Sequence, residues 1–137
     1  MAAPFSTTLR VRYVECDMQG HVFNGHYLTW FDMAHTELLQ AVFGPYLQFV
    51  EREGIDIVVA ESGVRYLAPA HFDDELTIEV TLDEPTTSSL TSRFTIRRDG
   101  DGIAEGFLRH VCVDHKDYNK KAWPDAVRAA LAPFVSG

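Results

Sequence analysis

The chain has 137 residues, 46% of them hydrophobic and 23% charged, which is the usage of an ordinary folded domain and excludes disordered, collagen-like and low-complexity chains. Twelve Lys and Arg against twenty Asp and Glu leave a formal charge of −8, so a phosphate backbone is not expected as the main partner and no nucleic acid is expected. No window approaches ~18 uninterrupted apolar residues, and Arg10, Arg12, Glu15 and Asp17 interrupt the start; neither a membrane span nor a signal peptide is expected, and the expected compartment is the cytoplasm.

Residues 1–137 read as one domain, cut by short breaks into about six elements. Residues 7–14 alternate apolar and polar with period two, the pattern of a strand. A loop rich in glycine and polar residues follows. From Gly25 to Phe43 the period becomes helical, with Thr29, Asp32, Thr36 and Gln40 in one narrow arc and Tyr27, Leu28, Trp30, Phe31, Ala34, Leu38, Leu39, Ala41 and Val42 over the rest. Such a wide apolar face predicts a helix that is wrapped by other elements. A short second helix is expected in Pro45–Glu53.

Ile57–Leu67, Glu75–Leu82, Ser89–Ile96 and Ile103–Val113 are rich in β-branched and aromatic residues and mostly alternate, so four more strands are expected. Leu76, Ile78, Val80 and Leu82 share one face. Asp99-Gly100-Asp101-Gly102 marks a hairpin between the last two strands, and sequential antiparallel pairing is the economical topology. A helix begun by Pro124 closes the chain. The predicted fold class is α+β, one antiparallel sheet of about five strands curled around one long helix.

The chemistry is expected in the loop that enters the long helix, Asp17 to Tyr27. It carries a carboxylate seven residues before Asn24 and two glycines that allow tight turns. A helix N-terminus presents unpaired N–H groups and partial positive charge, so the amides of Asn24 and Gly25 are candidates to hold an oxyanion. One carboxylate and two amides suffice for a thioester, whose leaving thiol, with a pKa near ~8.5, departs without a strong acid. Asp17 either activates water or attacks the carbonyl itself, and the residues leave both routes open. Asn24 also reads as an N-cap.

Arg12-Tyr13, Asp17, Gly20, Val22, Phe23, Tyr27, Trp30 and Asp32 resemble the opening motif of the 4-hydroxybenzoyl-CoA thioesterase family. The resemblance continues through Val64–Ala70, Asp74-Glu75-Leu76 and Pro124, and so covers nearly the whole chain. It implies a hotdog fold, hydrolysis of an acyl-CoA, Asp17 as catalytic carboxylate and the Asn24 and Gly25 amides as the carbonyl-polarising site, with Gly20, His21, Val22, Phe23 and Tyr27 around the substrate. It also implies a homodimer formed by sheet edges, with a tetramer as a further step, and no cofactor. His21-Val22-Phe23-Asn24 is similar to a stretch of acyl-carrier-protein thioesterases, although Gln19 stands where they carry an Asn. The alternatives weighed are a non-catalytic acyl-binding module, an acyl-carrier-protein thioesterase and a hydratase on the same scaffold.

The remaining candidates read as structural. His21, His26, His35, His71, His110 and His115 show no metal-ligand spacing, so no metal is expected, and His35 reads as a core or interface histidine. Cys16 and Cys112 read as two buried reduced thiols. Glu61 and Arg65 fall on a solvated or intersubunit face. Arg97, Arg98, Lys120 and Lys121 lie near turns and are the candidates for the CoA phosphates.

Overall fold

The structure, a computed structural model, describes residues 4–136. Leu76, Ile78, Val80 and Leu82 are fully buried while Thr77, Glu79 and Thr81 are not, the alternation of a strand with one face on a core. Five such strands form one antiparallel sheet: β1 (Phe5–Arg10), β2 (Ile55–Tyr66), β3 (Glu75–Leu82), β4 (Ser89–Arg98) and β5 (Asp101–Asp114). Three helices accompany it, α1 (His26–Phe43), α2 (Tyr46–Glu53) and α3 (Asp125–Leu131). Pro124 stands at the N-cap of α3. The wrapped long helix is present, and the arrangement is the hotdog fold.

Helix α1 buries Tyr27, Trp30, Phe31, Ala34, His35, Leu38 and Leu39 against the sheet. Phe31 stacks on Phe94 of β4 with ring centroids 4.6 Å apart, and Gly106 of β5 leaves the space its ring edge enters. The solvent face is wider than the polar arc of the sequence, because Met33, Glu37 and Ala41 are exposed as well.

Two expectations are corrected. The strand read over residues 7–14 ends at Arg10, because Val11 donates its N–H to Asp74 O at 2.9 Å and Tyr13–Glu15 close a single 3-10 turn. The strand order is β1-β3-β4-β5-β2 rather than sequential, so β1 and β2 lie at opposite edges. Helix α1 explains the order: its 18 residues span ~27 Å, more than the ~19 Å width of five strands, so it delivers the chain to the far edge. The β4–β5 hairpin is made as expected. Asp99 and Gly100 have φ of 52° and 85°, the two positive values of a type I′ turn.

From the far edge, residues 67–74 must cross back over the ends of β5 and β4 to begin β3 beside β1. That crossover, the β1–α1 loop and the start of α1 therefore meet at one end of the sheet.

Candidate active site

The β1–α1 loop is organised by a buried carboxylate. Glu15, 4% exposed, accepts hydrogen bonds from the Arg12 backbone N–H at 2.8 Å, the Arg12 guanidinium at 3.2 Å and the Trp30 indole N–H at 3.0 Å. Burial works against ionisation, but these donors outweigh it and hold the carboxyl below its usual 4.5. The backbone carbonyl of Glu15 also accepts from Phe23 N–H at 2.9 Å. The loop is thereby closed on itself at Glu15 and Phe23 and fixed to α1 through Trp30.

Between these anchors the chain doubles back. Asp17 N–H donates to His21 O at 2.8 Å, Gly20 N–H donates to Asp17 O at 3.0 Å, and Cys16 bridges Val22. Gly20 takes φ +81°, the left-handed conformation that this turn requires and that glycine adopts without strain. The Asp17 carboxylate accepts from Gln19 N–H at 2.9 Å through Oδ1, leaving Oδ2 without a partner among the described residues. The turn thus presents one free carboxylate oxygen.

Helix α1 starts without a side-chain cap. Gly25 is the N-cap residue, so the expected capping by Asn24 is corrected. His26 and Tyr27 turn their N–H groups to Phe23 O and Asn24 O, whereas those of Asn24 and Gly25 have no acceptor among the described residues. Tyr66, at the end of β2, donates its hydroxyl to Asn24 O at 3.1 Å and packs edge-on against Tyr27.

These parts enclose a cleft of ≈ 370 Å³ in which Asp17, His21, Val22, Asn24 and Tyr27 face Tyr66, Leu67 and Pro69. The crossover wall is held by Val22 N–H on Ala70 O and by Arg98, which donates to Pro69 O at 3.2 Å and to Asp74 at 2.7 Å. Asp17 also borders a second, apolar hollow with Tyr13, Val14, Met18, Gly20 and Phe72. It stands on the ridge between the two.

Other sequence candidates fall elsewhere. Phe23 is exposed and lies over Gly25, outside the cleft wall, its ring 3.0 Å from where a Cβ of residue 25 would sit. Arg97 is paired with Glu79 at 2.9 Å beside Arg98, at the cleft end of the sheet. Lys120 and Lys121 adjoin Val113 and Cys112, roughly 35 Å away along β5, where Lys121 donates to Gly54 O. The structure therefore separates the four cations into two pairs. Glu61 and Arg65 bond across the strand to Arg109 and Glu105 on the exposed face. Cys112 is buried, its thiol pushed up to about 11 by burial, but Cys16 is only half-buried, which corrects that half of the expectation. His35 is a core histidine.

Glu15 and Tyr66 are the site residues that sequence reasoning passed over. A single Glu in an irregular loop carries no pattern, and Tyr66 acquires its place only through the crossover beside it.

The thioesterase-like superfamily matches residues 11–131, which takes in both walls of the cleft. The chain belongs to that superfamily. Among superfamily relatives, it is 30% identical over 128 residues to the acyl-CoA thioester hydrolase YbgC of Escherichia coli O6:H1, covering 91% of this chain and 93% of that protein. It is 28% identical over 131 residues to the long-chain acyl-CoA thioesterase FadM of Escherichia coli K12, covering 94% and 98%. A hypothetical protein of Thermus thermophilus superposes with a TM-score of 0.86 at 30% identity, over 94% of this chain and 98% of that one. The 1,4-dihydroxy-2-naphthoyl-CoA thioesterase of Synechocystis shares the fold with a TM-score of 0.85 at 17% identity, over 95% and 96%. Among the described residues no helix is long and apolar enough to cross a membrane.

Proposed function

We propose that the chain is an acyl-CoA thioesterase that hydrolyses its substrate to a carboxylic acid and free CoA in the cleft beside Asp17. The observation that carries this reading is the meeting, in one cleft of a thioesterase-like chain, of a half-free carboxylate and the uncapped start of α1. A thioester carbonyl directed at the Asn24 and Gly25 amides is polarised by donors that have no other acceptor among the described residues and by the positive end of the helix. Asp17 then either adds to the carbonyl carbon, giving an anhydride that water opens, or takes a proton from the attacking water. Both routes consume one water and release the thiol, whose low pKa removes the need for a strong acid.

His21, Val22 and Tyr27 shape the acyl side of the cleft, with Gly20 supplying the turn. Arg97 and Arg98 stand on its end of the sheet and are the cations we assign to the CoA phosphates, in preference to Lys120 and Lys121. The outer edge of β2 has no partner among the described residues, and pairing with the same edge of a second copy gives a homodimer, with tetramers built from such pairs. Residues 1–137 act as one domain in the cytoplasm. A thiol-release screen across aliphatic and aromatic acyl-CoAs tests the activity: turnover of at least one class supports it, and none across the panel contradicts it.

A further inference from the structure

The cleft is the first of three cavities that follow one another along α1. The second, ≈ 300 Å³, lies between Leu28 and Asp32 of α1 and Val59 and Ser62 of β2. The third, ≈ 280 Å³, holds Asp32, His35 and Thr36 of α1, Asp56 and Ile57 of β2 and His110 of β5. Leu28, Asp32 and Thr36 are four residues apart and form one helix stripe. Strand β2 runs the other way, so Tyr66, Ser62, Val59 and Ile57 meet α1 in the same succession. In register, Leu108 of β5 lies opposite Ser62, and His110 opposite Val59. The second and third cavities share Asp32, and the consecutive residues Tyr27 and Leu28 line the first and the second, so the three lie in line between Asn24 and the histidines.

The far end of this line is polar and unsatisfied. His35 and His110 are each 3% exposed and stack with ring centroids 4.0 Å apart. His35 Nδ1 is bonded to Ser92 Oγ at 2.9 Å, but His35 Nε2 and His110 Nδ1 are buried without a hydrogen-bond partner among the described residues. A buried polar atom left alone costs about 1–3 kcal/mol, so two of them at the end of a groove point to a missing partner. Burial pushes His110 down to about 4 and also holds His35 well below its usual 6.5, with the neighbouring His110 adding to it, so both rings are neutral near pH 7. A neutral imidazole has one donor and one acceptor nitrogen, and a hydroxyl, which donates and accepts, satisfies either tautomer. By contrast, Asp56 already accepts from the Tyr46 hydroxyl and from Ile57 N–H.

We infer that the groove between α1 and β2 receives the acyl chain and that the His35–His110 pair binds a neutral hydroxyl at its distal end, so that the favoured substrates are ω-hydroxyacyl thioesters. The inference rests on the thioesterase reading for the placement of the carboxyl end. From Gly25 to His35 the helix rises ~15 Å, which an extended chain of ~12 carbons spans. The subsite therefore selects for length and for the terminal hydroxyl together.

Calorimetric binding of free acids tests this without turnover. The whole protein should bind ω-hydroxydodecanoate about tenfold more tightly than dodecanoate, while ω-hydroxyhexanoate, too short to reach, gains nothing over hexanoate. His110→Phe keeps a stacked ring, removes the nitrogens and should erase the preference; Thr36→Leu, which narrows the cavity without touching either imidazole, should weaken binding of both long acids equally. Equal affinity of the two long acids for the unmodified protein, or binding of neither, overturns the subsite and leaves the pair met by water. Tighter binding of ω-aminododecanoate than of the hydroxy acid overturns the hydroxyl assignment in favour of Asp32. A hydroxyl preference in a protein that releases no thiol from any acyl-CoA supports the subsite and contradicts the thioesterase reading alone.

Discussion

Trp30 donates its indole N–H to the buried carboxylate of Glu15 across 3.0 Å, joining the second turn of α1 to the loop that carries Asp17. Glu15→Ala removes the acceptor for three donors and leaves the Trp30 N–H buried. We expect about 3 kcal/mol of stability to be lost in urea unfolding, with Glu15→Gln losing about 1 because it keeps an acceptor. The released loop displaces Asp17, so thiol release should fall roughly ten- to hundredfold in the Ala variant. An Ala variant with unchanged unfolding midpoint and turnover would contradict the role of this contact.

The stacked histidines make stability depend on pH. His110 titrates at about 4 in the folded protein against a usual 6.5, its burial penalising the cation. The unfolded chain takes up a proton below 6.5 that the folded chain refuses until about 4, so stability is full above that window and falls as the pH drops through it. His110 alone should make unfolding at pH 5 require about 2 kcal/mol less than at pH 7, His35 adds in the same direction, and His110→Phe should shrink the difference. Glu15, whose carboxyl is held low, adds a further loss only as pH falls through the carboxylate range below 4.5. Identical unfolding midpoints at pH 7 and pH 5 would refute this account.

Two glycines of the sheet should respond differently to alanine. A Cβ on Gly106 would fall inside contact distance of the Gly63 carbonyl and 2.6 Å from the Phe31 ring, between a backbone and a stacked core aromatic. We expect Gly106→Ala to cost about 3 kcal/mol. A Cβ on Gly63 would meet only the Phe107 ring, on the outer face, where the side chain swings aside. Gly63→Ala should cost less than ~1 kcal/mol. Thermal unfolding of the two variants checks the order, and a reversed order would show that the Phe31 edge is not pinned by β5.

What the sequence disclosed follows from the range over which each signal acts. Strand β3 and the start of α1 were legible because period and composition are local, and Leu76 to Leu82 alternate without interruption. The sequence pattern carries strand β1 past its true end because Val11 and Tyr13 continue its parity, while the bond that ends it goes to Asp74, more than sixty residues away. The order of the strands is set by the length of α1, which the helical period displays, and by the crossover at residues 67–74, which leaves no periodic trace. At the candidate site, Asp17, Gly20 and the start of α1 were legible from a motif within eleven residues. Glu15, Tyr66 and the clamp of Arg98 on Pro69 join segments distant in sequence and emerged only in three dimensions.

The central claim is that the Asp17 carboxylate does the chemistry in the cleft at the head of α1. The most direct measurement is thiol release by Asp17→Asn, which retains the side-chain oxygen that accepts from Gln19 N–H, on the best acyl-CoA of a panel. The variant should keep an unfolding midpoint close to that of the parent protein and show a kcat reduced at least ~100-fold with little change in KM. Parent-like turnover by a folded Asp17→Asn would contradict the claim.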